Sequence, residues 1–196
     1  SRGLHYVGAN VESSVDPDSV CKAERIVLPG VGAFASGMEE LQALGMDEAV
    51  KQVAQAGRPI LGICLGMQML LDTSNEHGKH AGLGLIPGVV VPIPTVDNDE
   101  FQRKVPHIGW NALKFPIHRR NWNHTCLDVA SEGTYYYFVH SFMAVPDNSE
   151  HILAECLYQG IRVTGAINKE NITGLQFHPE RSGPSGLAIL RRFVAS

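Results

Sequence analysis

The segment GICLG, residues 62–66, spans the junction between an apolar run at 60–63 and a helix-like run at 65–71. A cysteine between two glycines at such a junction has the form of a nucleophile elbow, a sharp turn that lifts one side chain out of a sheet. The glycines are required because bulky neighbours would collide with the adjoining backbone. Unpaired N–H groups at the start of a helix favour the thiolate form of Cys64. A buried cysteine packed as a small hydrophobe explains the segment equally well, so both interpretations stay open.

Strand-like and helix-like runs alternate around this turn. Residues 25–29 form a short β-branched run that ends in Pro-Gly, and residues 36–56 have helical periodicity that is interrupted at Gly45. With the strand at 60–63 and the helix after Cys64, this order is typical of parallel strands joined by right-handed crossovers.

The second half of the chain has a different pattern. Apolar runs separated by turn residues favour antiparallel strands there, an acidic loop is predicted at residues 97–100, and a helix is predicted at 186–194. The strand-like runs lie at residues 82–94, 134–145, 151–158, 161–167 and 172–177. We therefore predict an α/β fold, with a mostly parallel open sheet flanked by helices and additional antiparallel strands, in one domain over residues 1–196.

The composition excludes several classes of protein. The 196 residues are 44% hydrophobic and 18% charged, which is ordinary for one globular domain. The formal net charge is −4 and there is no dense Lys/Arg run, so no nucleic-acid partner is expected. No apolar run approaches the roughly 18 residues of a membrane span, and no signal peptide is expected at the first residues.

The cysteine and histidine patterns predict neither disulfides nor a metal site. Four cysteines lie far apart without a CxxC pair, which favours reduced thiols in the cytoplasm. The histidines near residues 77–80 and 118–124 have no recognised ligand spacing, and we interpret them as solvated loop residues. No metal and no organic cofactor is therefore expected.

A base for the cysteine is available in QFHPE, residues 176–180. His178 follows an apolar run and precedes proline, so it is predicted at a strand end, where catalytic loops of α/β sheets gather. Glu180 is close enough in sequence to orient the imidazole and stabilise its charged form. A histidine satisfied in a turn, with a solvent-facing glutamate, is the alternative.

A third candidate element is the glycine-rich segment PGVGAF, residues 29–34. Flexible backbone at Gly30, Val31 and Gly32 could aim an N–H at a developing oxyanion, joined by the N–H of Leu65. Each such donor is typically worth about 3–4 kcal/mol of transition-state stabilisation. By itself, the segment is equally compatible with a simple turn.

These segments together resemble the class I (triad) glutamine amidotransferases and, within them, the glutaminase subunits of imidazole glycerol phosphate synthase. The resemblance runs from about Gly8 to the end of the chain. It is carried by LPGVGAF at 28–34, GICLGMQML at 62–70, PHIGWN at 106–111, YYYFVHSF at 135–142 and GLQFHPERSG at 174–183.

The resemblance implies a role for each residue of the candidate site. Cys64 is the expected nucleophile, His178 the general base and acid, and Glu180 its orienting partner. The backbone of the glycine-rich segment and of the elbow is expected to bind the oxyanion. The residues expected to bind glutamine are Gln68, His140 and Ser141, the last two largely through backbone.

The resemblance also implies a partner, the cyclase subunit of the synthase, which is a (β/α)₈ barrel. The residues expected to face it are Trp110, Asn111, Tyr137 and Arg181. Ordinary core packing is the alternative for Trp110 and Tyr137. Arg181 stands where lysine is common, which keeps the charge but changes the hydrogen-bond geometry.

The implied reaction is hydrolysis of glutamine to glutamate and ammonia, with the ammonia used by the cyclase in histidine biosynthesis. Two alternatives remain open: another Cys-His-Glu hydrolase on the same fold, and a non-catalytic interaction subunit. The family begins with a strand that precedes a helix, whereas residue 1 falls within that helix. The domain is therefore expected to lack the family's first strand, which should leave backbone groups unpaired.

Overall fold

The structure is a computed structural model that describes residues 2–96 and 102–196. The acidic segment 97–100, predicted as a loop, lies outside the described residues. The helices are α1 (Arg2–Tyr6), α2 (Pro17–Lys22), α3 (Phe34–Ala43), α4 (Met46–Gln55), α5 (Leu65–Met69) and α6 (Gly183–Val194). The strands are β1 (Ile26–Gly30), β2 (Ile60–Cys64), β3 (Leu71–Ser74), β4 (His80–Ala81), β5 (Ile86–Pro92), β6 (His107–Lys114), β7 (Tyr135–His140), β8 (Phe142–Pro146), β9 (Ile152–Tyr158), β10 (Ile161–Lys169) and β11 (Ile172–Leu175).

The larger sheet brings three candidate segments to one edge. Its strand order is β1-β2-β11-β10-β9-β6-β7, with β1, β2 and β11 parallel and the remaining pairs antiparallel. Gly30 pairs with Cys64, and Leu175 pairs with Ile63. Since the carboxyl ends of parallel strands meet at the same edge, the glycine-rich segment, the cysteine turn and the QFHPE segment all emerge there.

The predicted α/β class with additional antiparallel strands is confirmed, but the larger sheet is mixed rather than mostly parallel, since four of its six strand pairs are antiparallel. The parallel part of the larger sheet is confined to the three strands that lead into the candidate site, and β1 is one edge of that sheet. A second, four-stranded sheet has the order β4-β3-β5-β8. The predicted interruption of the first helical run is also present, because Gly45 has φ 67° between α3 and α4.

Two sequence-based boundaries were wrong, and three strands, β3, β4 and β6, were not predicted. The helix expected at 65–71 ends at Met69, and Leu71 pairs with Ile86 in the smaller sheet. The single run expected at 134–145 is two strands, because the chain leaves the larger sheet at His140 and joins β5 from Phe142 onward. Strand β6 has an irregular burial pattern, so alternation of apolar residues did not identify it.

The core occupies both faces of the larger sheet. Ile60 and Leu61 are adjacent on β2 and fully buried, yet they belong to separate hydrophobic clusters. The reason is that successive side chains of a strand point to opposite faces. Full burial of each such side chain is worth roughly 1.5–3 kcal/mol, so β2 is held from both sides. The strand that carries the cysteine is therefore one of the best-anchored parts of the fold.

Candidate active site at the carboxyl edge of the larger sheet

The Cys64 backbone has the strained conformation expected of an elbow. Its φ and ψ are 56° and −113°, at the junction of β2 and α5. A Cβ atom at Gly66 would overlap the carbonyl oxygen of Leu28, and one at Gly62 would lie 2.8 Å from the backbone of Gly66. Both glycines are therefore needed because α5 starts in direct contact with the neighbouring strand.

His178 and Glu180 form a hydrogen-bonded pair behind the cysteine. The distance from Nδ1 of His178 to Oε1 of Glu180 is 2.8 Å. Since a carboxylate only accepts hydrogen bonds, Nδ1 is protonated and donates the hydrogen bond to Glu180. Nε2 of His178 is buried and has no hydrogen-bond partner among the described residues. This nitrogen is the one available for proton transfer at the cavity.

Electrostatics favour a charged imidazole in this pair. The Cys64 side chain, and after it the Glu180 carboxylate, raise the pKa of His178 to about 9. Burial raises the pKa of Glu180, but the hydrogen bond with His178, a backbone hydrogen bond and the charges of His178 and Arg181 together outweigh it, and the net pKa lies below the ordinary value. Glu180 is therefore ionised at neutral pH. A proton on His178 is compatible with a thiolate on Cys64, as in other cysteine–histidine pairs.

Ser182 fixes the turn that carries His178. Its hydroxyl donates to the carbonyl oxygen of His178 at 2.6 Å and accepts from the backbone N–H of Tyr137 at 2.9 Å. The N–H of His178 also donates to the carbonyl oxygen of Tyr137 at 2.9 Å. The QFHPE turn is thus tied to β7 by two hydrogen bonds, one of them through Ser182. Sequence reasoning did not assign Ser182, since the tie depends on a strand far away along the chain.

A cavity of about 330 Å³ opens over Cys64 and His178. Most of the residues expected to bind the substrate or the oxyanion line it. Its lining is Val31, Gly32, Cys64, Leu65, Gln68, Glu76, Val139, His140, Ser141, Phe142, His178 and Arg181. Of the expected set, Gly30 lies beneath the lining, where an added Cβ would meet Leu65 at 2.9 Å. Glu180 is not part of the lining and contacts Nδ1 of His178.

Glu76 is a cavity residue that the sequence reasoning missed. Its Oε2 accepts a hydrogen bond from the N–H of Phe34 at 2.7 Å, at the start of α3. This contact ties the segment after β3 to the end of the glycine-rich segment. Glu76 follows a strand that was not predicted, so no motif indicated it. Its carboxylate gives the cavity an acceptor for a cationic group.

His140 reaches the cavity mainly through its backbone, because both ring nitrogens are used inside the protein. Nδ1 donates to the carbonyl oxygen of Phe142 at 2.7 Å, and Nε2 accepts from Nδ1 of His107 at 2.9 Å. Burial lowers the pKa of His140 to about 3 and that of His107 to about 4. Both rings are therefore neutral at physiological pH, and they order the backbone at Ser141.

The residues expected at a partner interface do not share one environment. Trp110 is 55% exposed and packs edge-on against Tyr137 with ring centroids 6.2 Å apart. The Arg181 guanidinium lies 4.6 Å from the centre of the Tyr137 ring. Core packing therefore does not account for Trp110. Asn111 faces the other way and donates to the carbonyl oxygen of Leu157 at 3.0 Å.

Within residues 2–96 and 102–196, no three His, Cys, Asp or Glu side chains are grouped to hold a metal ion. Over the same ranges, no helix has the length and apolarity needed to cross a membrane.

A cysteine on a strand-to-helix elbow, with a His-Glu pair beside it at a cavity, is the arrangement used by cysteine-nucleophile hydrolases of the α/β class. Residues 6–196 match the family of class-I glutamine amidotransferases, and the chain belongs to that family.

Named relatives are similar over nearly the whole chain. Imidazole glycerol phosphate synthase subunit HisH 1 of Legionella pneumophila (strain Lens) is 47% identical, over 99% of this chain and 91% of that protein. Subunit HisH of Listeria monocytogenes serotype 4a (strain HCC23) is 45% identical, over 98% of this chain and 87% of that protein. A crystal structure of a glutamine amidotransferase has the same fold, with a TM-score of 0.72 at 14% identity, covering 100% of this chain and 92% of that one.

Proposed function

We propose that this chain hydrolyses glutamine to glutamate and ammonia, and that it supplies the ammonia to a cyclase that forms imidazole glycerol phosphate in histidine biosynthesis. The observation that carries the chemistry is the unpaired Nε2 of His178 in the cavity that contains Cys64. The similarity to HisH subunits over nearly the full chain supports the choice of reaction and pathway.

The chemistry is acyl transfer through a thioester. The Cys64 thiolate attacks the side-chain amide carbon of glutamine, and the N–H groups of Val31 and Leu65 stabilise the oxyanion. Protonated His178 gives its proton to the departing nitrogen, so that ammonia leaves and a γ-glutamyl thioester remains. His178 then takes a proton from water, which attacks the thioester and releases glutamate and the thiolate.

The cavity has polar groups suited to the ends of glutamine. Both amide hydrogens of Gln68 are used inside the protein, by the carbonyl oxygen of Phe142 and by Gln176, so its oxygen is left to accept from the substrate. The Glu76 carboxylate matches the α-ammonium group in charge. The backbone at Ser141 supplies further contacts to the substrate.

The partner in this proposal is the cyclase subunit, a (β/α)₈ barrel that meets the chain as a heterodimer. Exposed Trp110 and Arg181 both contact half-buried Tyr137 and form with it an aromatic and cationic patch, a composition enriched at protein interfaces. Ammonia passes to the cyclase without release, and the assembled enzyme acts as a lyase in the cytoplasm. The four free cysteines support that compartment.

The test is steady-state hydrolysis of glutamine by the purified chain, alone and with a cyclase subunit from a similar synthase. We expect glutamate and ammonia in equal amounts, and no product from Cys64→Ala. Turnover of γ-glutamyl peptides in preference to glutamine would indicate a different hydrolase. Tight binding to the cyclase without any turnover would indicate a non-catalytic subunit.

A further inference from the structure

We propose that Gln176 is an additional catalytic residue, whose side-chain N–H stabilises the Cys64 thiolate. The inference rests on the proposed function, because it assigns a role in the same hydrolysis. Gln176 follows β11 directly and is fully buried, and its Nε2 lies 3.8 Å from Sγ of Cys64. Its backbone N–H donates to the carbonyl oxygen of Gly165 at 2.9 Å, which fixes where its side chain begins.

The direction of the hydrogen bond to sulfur is set by one backbone carbonyl. The oxygen of Phe142 can only accept, so Gln68 must present its Nε2 to it, at 3.2 Å. The same Nε2 donates its second hydrogen to Oε1 of Gln176, at 3.0 Å. Because its oxygen is occupied in this way, Gln176 must turn its N–H group toward the sulfur of Cys64.

The opposite orientation of the two amides is disfavoured. Flipping Gln176 would bring its Nε2 against Nε2 of Gln68, two donors facing each other. Flipping Gln68 as well would bring its oxygen against the carbonyl oxygen of Phe142, which already accepts from Nδ1 of His140 at 2.7 Å. In a buried network such a mismatch leaves polar groups unsatisfied, which is costly.

The groups around the Cys64 sulfur make the Gln176 N–H favour the thiolate over the thiol. The carbonyl oxygen of Val139 lies 3.9 Å from Sγ, and only a protonated thiol can donate to it. The Gln176 N–H, by contrast, makes its stronger bond with a thiolate, because hydrogen bonds to ionised acceptors are roughly twice as strong as neutral ones. Gln176 and His178 therefore stabilise the thiolate from two directions, one as a fixed dipole and one as a charge.

The experiment measures the rate at which iodoacetamide alkylates Cys64 as a function of pH, by mass spectrometry of the Cys64 peptide. The variants are Gln176→Met, which has similar length and no N–H donor, and Gln176→Glu, which keeps the acceptor for Gln68 and loses the donor to sulfur. We expect the midpoint of the Cys64 profile to rise by about one pH unit in Gln176→Met, a tenfold loss of thiolate below the midpoint. A larger rise is expected in Gln176→Glu.

Cys21 is an internal control in the same samples, because its sulfur contacts Gln52 and lies far from the network. Its profile should not move in either variant. An unchanged Cys64 midpoint in the folded variants, with or without a uniform change in rate, would overturn the proposal. A shifted midpoint in a chain that hydrolyses no glutamine would leave the hydrogen bond from Gln176 to the thiolate standing, and would remove its role in hydrolysis together with the proposed function. Should Gln176→Met fail to fold, the isosteric Gln176→Glu decides the matter by itself.

Discussion

Gly30 and Cys64 are the last paired residues of the parallel ladder between β1 and β2. The chain after Gly30 therefore turns out of the sheet beside the elbow, and an added Cβ at Gly30 would meet both the Leu65 side chain and the Gly66 nitrogen at 2.9–3.0 Å. This contact places the glycine-rich segment against the first turn of α5, beside the elbow that carries Cys64.

The first prediction concerns thiol reactivity. An electrophilic glutamine analogue should add one equivalent to Cys64, detected by peptide mass spectrometry, and Cys64→Ala should abolish hydrolysis. Burial raises the pKa of the Cys126 and Cys156 thiols to about 12, so neither should react near neutral pH. Cys21 is the demanding comparison, since it is partly exposed but outside the cavity. Equal labelling of Cys21 and Cys64 would contradict the assignment.

The second prediction concerns pH dependence. The Cys64–His178 pair needs a proton on His178 for catalysis. Because the pKa of His178 is raised to about 9, this proton is lost as the pH rises through that value. The Glu180 carboxylate is the second cause of the raised pKa of His178, so Glu180→Gln should lower that pKa. The alkaline limb of the profile of kcat/KM should then move to lower pH. Glu39→Gln, an exposed change on α3, is the matched control and should leave the limb in place.

The third prediction concerns the elbow itself. Gly66→Ala would force a Cβ onto the Leu28 carbonyl oxygen, which should reduce the free energy of unfolding by more than about 1–3 kcal/mol and reduce kcat. Gly57→Ala is the comparison, because Gly57 has φ 71° and open space around its Cα. Gly57→Ala should reduce the free energy of unfolding only by the strain of alanine in a left-handed conformation, about 1–2 kcal/mol, and should leave kcat unchanged. Urea denaturation and steady-state kinetics measure both; equal losses in the two variants would argue against the overlap.

The fourth prediction separates chemistry from supply. His178→Ala should abolish synthesis that depends on glutamine, because no general base then activates Cys64 and no general acid protonates the leaving nitrogen. Synthesis by the partnered cyclase from added ammonium salt should continue, since free ammonia bypasses the triad. Both rates are measured on the complex. Loss of the ammonium-dependent rate as well would assign His178 a structural role.

The fifth prediction concerns activation by the partner. Val31 is 84% exposed and Gly32 has φ 100° with no atom near its Cβ position, so this segment is lightly packed and free to turn a peptide group. We expect the Val31 N–H to point at the oxyanion only in the complex with the cyclase. The free chain then lacks one donor worth about 3–4 kcal/mol of transition-state stabilisation, which lowers its rate about 10²–10³-fold. The gain with the cyclase and its nucleotide ligand should appear in kcat rather than KM. An equal kcat with and without the partner would refute the activation and leave the triad assignment intact.

The sequence by itself determined the features that depend on neighbouring residues. The glycines around Cys64 predicted a sharp turn, since only residues without a Cβ fit such a crowded backbone. The alternation of apolar runs before and after it predicted the α/β class. The short spacing in QFHPE was sufficient to predict a His178–Glu180 pair, because both residues lie in one turn.

The tertiary structure alone decided which distant groups meet. The Gln176 amide contacts a sulfur 112 residues away, and Glu76 contacts a backbone N–H 42 residues away. Ser182 meets Tyr137 across 45 residues. Such contacts follow from strand order and register, and these are fixed by burying both faces of the sheet at once. Packing of the whole chain therefore sets them, and no local pattern encodes them.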